Sequence, residues 1–96
     1  MKLLWTEIGW EDYIYWLNTD IKKLERINDL IEDIKRSPYH GIGKPEPLKF
    51  DFAGKWSRRI NEEHRLIYNL QSKKEKIKNK IVDHQILTIY QCRYHY

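Results

Sequence analysis

The sequence predicts an α+β fold in which a short strand and two amphipathic helices precede a mainly antiparallel sheet, the helices packed on one sheet face. Three observations carry this. Apolar residues recur at helical spacing in two successive stretches before residue 37, all three prolines and three of the four glycines fall between Pro38 and Gly54, and β-branched and aromatic residues dominate the segments after Gly54. The 96 residues make one domain, 1–96. A chain of this size buries only about 60–65% of its unfolded surface and has no material for a second core.

Lys2 to Trp5 reads as the first strand, and Thr6 is placed to accept a hydrogen bond from the free amides that open a helix. Glu7, Glu11 and Asp12 suit the early turns of that helix, where its dipole favours acids. Trp10, Tyr13, Ile14 and Leu17 form one apolar face, so the helix spans 7–18. Thr19 or Asp20 caps a second helix with the stripe Leu24, Ile27, Ile31 and Ile34. Ser37-Pro38 ends it, because the residue before proline avoids the helical region. The short link between the two predicts an antiparallel helical hairpin.

The Pro38–Gly54 stretch is the long loop, interrupted by an extended piece at Leu48 to Phe52. Strands follow at Lys55–Ile60 and His64–Leu70 around an Asn61-Glu62-Glu63 turn, with a last strand at Gln85–Arg93. A three-residue turn sets Ile60 opposite His64. Arg59 and Arg65 then share one face of the hairpin, while Leu66, Tyr68 and Leu70 point to the helices. Residues 71–84, with five lysines, read as a hairpin extension, either a solvated ribbon or an arm that tracks phosphates.

No apolar run approaches the roughly 20 residues of a membrane span, and the opening Met1–Glu7 is too short and too soon acidic for a signal peptide. A cytoplasmic protein without a membrane partner is expected. The single cysteine, Cys92, permits no internal disulfide framework. Charge is uneven: residues 1–48 carry seven Lys/Arg against nine Asp/Glu, net −2, and residues 49–96 carry eleven against five, net +6. A basic half attracts polyanions, so RNA, DNA or an acidic protein is the class of partner.

Cleavage of an RNA phosphodiester needs a base for the ribose 2′-hydroxyl, an acid for the departing 5′ oxygen, and cations around the phosphorane. Glu46 is a candidate base, because Pro45 and Pro47 restrict the backbone on either side. Taken alone it reads more readily as an exposed loop acid. Arg65 offers a guanidinium to phosphate oxygens or, alternatively, to Glu62, Glu63 or Asp51. Trp56-Ser57-Arg58-Arg59 places cations beside an aromatic, a combination suited to single-stranded RNA. The chain closes on Cys92-Arg93-Tyr94-His95-Tyr96, where His95 belongs to the side-chain type that exchanges protons near neutral pH, and Tyr96 can stack on a base or steady a phosphate. One cysteine and scattered histidines supply no paired ligand set, so no metal site is expected, and Cys92 reads as a small hydrophobe rather than a nucleophile.

Gly43-Lys44-Pro45-Glu46-Pro47-Leu48-Lys49, Trp56-Ser57-Arg58-Arg59-Ile60, Glu62-Glu63-His64-Arg65-Leu66-Ile67-Tyr68 and Cys92-Arg93-Tyr94-His95-Tyr96, in that order, resemble the motifs of YoeB toxins, members of the RelE superfamily. Leu3-Leu4-Trp5 and Asp12–Trp16 extend the resemblance over almost the whole chain. It implies a RelE-like domain acting as the toxin of a type II toxin–antitoxin pair, cutting messenger RNA in the ribosomal decoding site. By this likeness Glu46 is general base, His95 general acid, Arg65 the stabiliser of phosphorane charge and Tyr96 a substrate-positioning residue. Lys49 and Arg59 match positions similar to RNA contacts, and Trp56, Arg58 and Arg93 are candidate RNA- or ribosome-binding residues beside them. The implied partners are messenger and ribosomal RNA, a YefM-like antitoxin and a second copy of the chain. A 2′,3′-cyclic phosphate is the expected product, with no cofactor. The alternative is a non-catalytic RNA- or ribosome-binding module of the same fold. Residues 71–84 depart from the family pattern, making the last hairpin longer than is usual.

Overall fold

The computed structural model describes residues 1–95. Strand β1 (Lys2–Trp5) leads into helices α1 (Glu7–Thr19) and α2 (Ile21–Arg36), and four strands follow: β2 (Glu46–Pro47), β3 (Trp56–Arg59), β4 (Arg65–Ile77) and β5 (Lys80–Gln91). They form one five-stranded sheet in the order β1-β5-β4-β3-β2. β1 runs parallel to β5, and the other pairings are antiparallel. The expected α+β architecture is therefore present, with the first strand brought back beside the last.

Both helix starts follow from their caps. The Thr6 hydroxyl accepts from the Gly9 amide, and the Asp20 carboxylate accepts from the amides of Lys22 and Lys23. The α2 stripe of Leu24, Ile27, Ile31 and Ile34 is buried as expected, joined by Leu30. It packs in one core with Leu66, Tyr68, Leu87 and Ile89 from the helix-facing side of the sheet.

The apolar face of α1 is turned from the expected one. Trp10 and Leu17 are about half exposed, while Gly9 and Trp16 are buried. The reason is close approach: a Cβ at Gly9 would lie 2.5 Å from the main-chain oxygen of Ile89 on β5. A glycine there lets the helix axis settle near the strand, and that contact outweighs the burial of Trp10. Gly9→Ala is accordingly expected to destabilise the domain by about 1–3 kcal/mol, the range for overpacking a filled core, measured by chemical denaturation.

The expected extended piece at Leu48–Phe52 is displaced. The strand lies earlier, at Glu46–Pro47, paired with Trp56 and Ser57, and Phe50–Phe52 form a 3₁₀ turn. The hairpin register is as expected: the Ile60 amide donates to the His64 carbonyl, and Arg59 pairs with Arg65. Strands β4 and β5 continue past the sheet as a two-stranded ribbon, closed at Lys78-Asn79, both of which have positive φ. Residues 71–83 of it are exposed. Its lysines flank strand edges that no neighbour among the described residues pairs with, where charge discourages edge-to-edge association.

Candidate active site

Residues opposite one another in a sheet share a face, as do residues two apart along a strand. Glu46 is paired with Ser57, and Arg59, two residues on, is paired with Arg65. Glu46, Arg59 and Arg65 thus stand on the face away from the helices. Glu46 and Arg59 are exposed, and Arg65 is largely buried at the base of β4. Its Nη1 donates to the carbonyls of Asn61 (2.8 Å), Glu62 (3.3 Å) and His64 (3.1 Å). These are carbonyls of the β3–β4 turn rather than the carboxylates that spacing suggested. The turn grips one end of the guanidinium, and its Nη2 and Nε make no hydrogen bond among the described residues.

Glu46 also lies at the start of the segment 46–52, which lines a cavity of about 490 Å³. Lys49 is exposed on this segment. Phe50, with φ 57°, stands 92% exposed beside it. Lys55, which the sequence marked only as a strand start, places its Nζ over the rings of Phe52 (5.5 Å) and Tyr90 (4.6 Å), a cation beside this segment.

The closing segment is fastened at alternate residues. The Cys92 amide donates to Asp12 Oδ2 (3.1 Å), and its carbonyl accepts from Trp16 Nε1 (2.8 Å). The Tyr94 amide donates to His64 Nδ1 (2.7 Å), and its carbonyl accepts from the Arg65 amide (3.0 Å). His95 follows directly and is exposed. The chain is therefore tied to the main chain of Arg65 one residue before it presents His95. Tyr96 lies outside the described residues. Burial pushes the Asp12 carboxyl above the usual carboxylate range, with the Cys92 amide opposing. Burial also pushes the Cys92 thiol far up, and its Sγ approaches the Gly9 carbonyl at 3.7 Å, as suits an inert core thiol.

Two RNA-contact candidates, Trp56 and Arg58, lie on the helix-facing side of the sheet, and a third, Arg93, stacks on two tyrosine rings. Arg58 has no exposed surface. Its Nη1 pairs with Asp33 and donates to the Ile42 carbonyl, its Nη2 donates to the carbonyls of Ser37 and His40, and its Nε to the Tyr68 hydroxyl. A guanidinium so enclosed has no donor left for phosphate, so Arg58 is a structural residue that ties the 37–42 loop and α2 to β3. Trp56 shares its face: the partly buried indole packs on the core and on Tyr39, at 4.7 Å between centroids, on the side of the sheet opposite Glu46. Arg93 lies over Tyr15 of α1 at 3.5 Å, and over Tyr94 at 4.5 Å. Conversely, His64, Asp12 and Trp16 carried no role at the site in the sequence reading, although they hold the closing segment.

The chain is similar to known proteins over its full length. Residues 5–96 match the model of the YoeB-like toxin of bacterial type II toxin–antitoxin systems. Toxin YoeB of Escherichia coli K12 is 49% identical over 96 residues, covering the whole of both chains. Among solved structures, a YoeB/ParE toxin from Agrobacterium tumefaciens superposes with a TM-score of 0.87 at 49% identity over the full length of both. The toxin in a heterotetrameric YoeB–YefM complex from Staphylococcus aureus does so at 0.80 and 37% identity, covering 100% of this chain and 98% of that one. With four ordered motifs, the matching fold and these full-length relatives, the chain belongs to the YoeB-like toxin family of bacterial type II toxin–antitoxin systems.

Proposed function

We propose that the chain is a metal-independent endoribonuclease that cuts messenger RNA in the ribosomal decoding site and so halts translation. The observation that supports it most is the open sheet face: a carboxylate and two guanidiniums from three strands share it, and the segment presenting His95 is bonded to the backbone of one of them. A surface that only bound RNA would gain nothing from Glu46, since a carboxylate repels phosphate.

In the proposed reaction Glu46 takes the ribose 2′-hydroxyl proton, and the 2′ oxygen attacks the adjacent phosphorus. Arg65, half held by its turn, meets the phosphorane with its remaining donors, aided by Arg59 and Lys49. His95 protonates the 5′ oxygen as the P–O5′ bond breaks, giving a 2′,3′-cyclic phosphate and a free 5′-hydroxyl, with Tyr96 positioning the substrate. A YefM-like antitoxin would neutralise the chain by folding an acidic segment over the basic face, a pairing supported by the Staphylococcus aureus complex.

Primer extension on messenger translated with the protein present tests this. Cuts within the reading frame are expected only when ribosomes are engaged, and adding the antitoxin should abolish them. Intact messenger beside ribosome-bound protein would instead favour a binding module.

A further inference from the structure

We infer that His64 is a positioning residue for the proposed acid His95: its unprotonated Nδ1 holds the Tyr94 amide and so fixes where the closing segment presents the next side chain. This rests on the proposed role of His95.

The geometry is specific. Tyr94 is the last residue before His95 and has φ 66°, a left-handed conformation that a tyrosine adopts only when its surroundings impose it. Two bonds impose it from one short stretch of chain, His64 Nδ1 on the amide at 2.7 Å and the Arg65 amide on the carbonyl at 3.0 Å. The His64 ring is itself held edge-to-face against Trp16 at 4.8 Å, and Trp16 binds the Cys92 carbonyl. One buried indole thus braces both fastenings. A nitrogen that accepts from an amide carries no proton, so the ring must be neutral, with its hydrogen on Nε2, which faces Glu63 at 3.8 Å.

The charged groups around the ring are Glu63 from its own turn, Arg65 at the start of β4, Lys23 from α2, Asp12 from α1 and Arg93 from the closing segment. Burial is the main influence and favours the neutral ring, helped by Lys23, Arg93 and Arg65 and opposed by Glu63. The folded protein therefore binds a proton at His64 less readily than the unfolded chain does. The fastening is complete above the ordinary histidine range and is lost as pH falls through the lowered value.

The test compares His64→Phe, which keeps the ring against Trp16 but removes the acceptor, with His64→Asn, whose Oδ1 can take the place of Nδ1 and does not titrate. Two readouts are needed: single-turnover cleavage on programmed ribosomes as a function of toxin concentration, and hydrogen exchange of the Tyr94 amide in the free protein. His64→Phe should lower the maximal rate by about 10–10²-fold, the scale of an ångström misplacement, with little change in half-saturation, and should unprotect the amide. His64→Asn should restore both to within a few-fold. In wild type, Tyr94 protection should fall as pH drops below the ordinary histidine range, and in His64→Asn it should not. A folded His64→Phe that cuts at the wild-type rate, or wild-type protection that does not change with pH, would overturn the inference; the latter holds even if His64→Phe fails to fold. If wild type cuts no messenger, the role of His95 as acid fails, whereas amide exchange still reports separately on whether His64 fastens the segment.

Discussion

Glu46→Ala and His95→Ala should each slow messenger cleavage by about 10²–10⁴-fold, the usual worth of one positioned proton-transfer group, while leaving fold and ribosome binding in place. The separation of effects follows from where the residues sit. Glu46 is exposed on a two-residue edge strand, where its main chain makes the sheet pairing and its side chain belongs to no core. His95 is exposed and follows Tyr94, so removing its side chain takes away none of the four bonds that hold Cys92 and Tyr94. Single-turnover cleavage, thermal unfolding and ribosome pelleting on the same preparations decide the matter. A folded Glu46→Ala/His95→Ala double variant that cuts at the normal rate would remove the acid–base mechanism altogether.

The second large effect contrasts neighbours of identical charge. Arg58→Leu should lower the unfolding midpoint by at least about 10 °C, and Arg59→Gln should leave it unchanged. Removing the buried Arg58 guanidinium takes away its ion pair with Asp33 and its bonds to the carbonyls of Ser37, His40 and Ile42, and a hydrogen bond to a charged group contributes about 1.5–3 kcal/mol. In a domain of this size each 1 kcal/mol is worth about 4–8 °C. Arg59 is exposed on the open face, so its loss should appear in binding, where the slope of log affinity against log salt falls by about one per phosphate contact removed. Scanning calorimetry and salt-dependent ribosome binding separate the two. There is also a pH signature. The Arg58 hydrogen bond, with the Ile42 amide and Arg36 adding to it, holds the Asp33 carboxyl below the usual carboxylate range. The stability it contributes is complete above the unfolded carboxylate value and lost as pH falls through the lowered one, so acid unfolding should lose that component in Arg58→Leu.

Much of the fold was legible locally. The α2 stripe, the Thr6 cap, the Asp20 cap and the stop at Ser37-Pro38 depend on spacing and on side chains that reach their own backbone, which a sequence displays directly. The three-residue turn likewise fixed the Ile60–His64 register, and with it the shared face of Arg59 and Arg65. That same alternation already implied that Arg58 faces inward. What a local pattern could not supply was the partner that makes a buried guanidinium stable: Asp33, 25 residues earlier, on another element.

The sequence by itself determined the element order, the helix-facing side of β4, the basic second half and a set of candidate groups for cleaving RNA. Only the tertiary structure decided the rotation of α1, because the choice between the Trp10 and Trp16 faces turns on the approach of Gly9 to the Ile89 carbonyl, a contact across 80 residues. It alone decided that β1 lies parallel to β5, that Arg58 pairs with Asp33, and that Asp12, Trp16, His64 and Arg65 hold the closing segment where His95 is presented. The physical reason is common to all of these. Periodicity and capping are set by neighbours along the chain, whereas the pairing of a buried polar group depends on which distant group the packed fold brings within hydrogen-bonding reach.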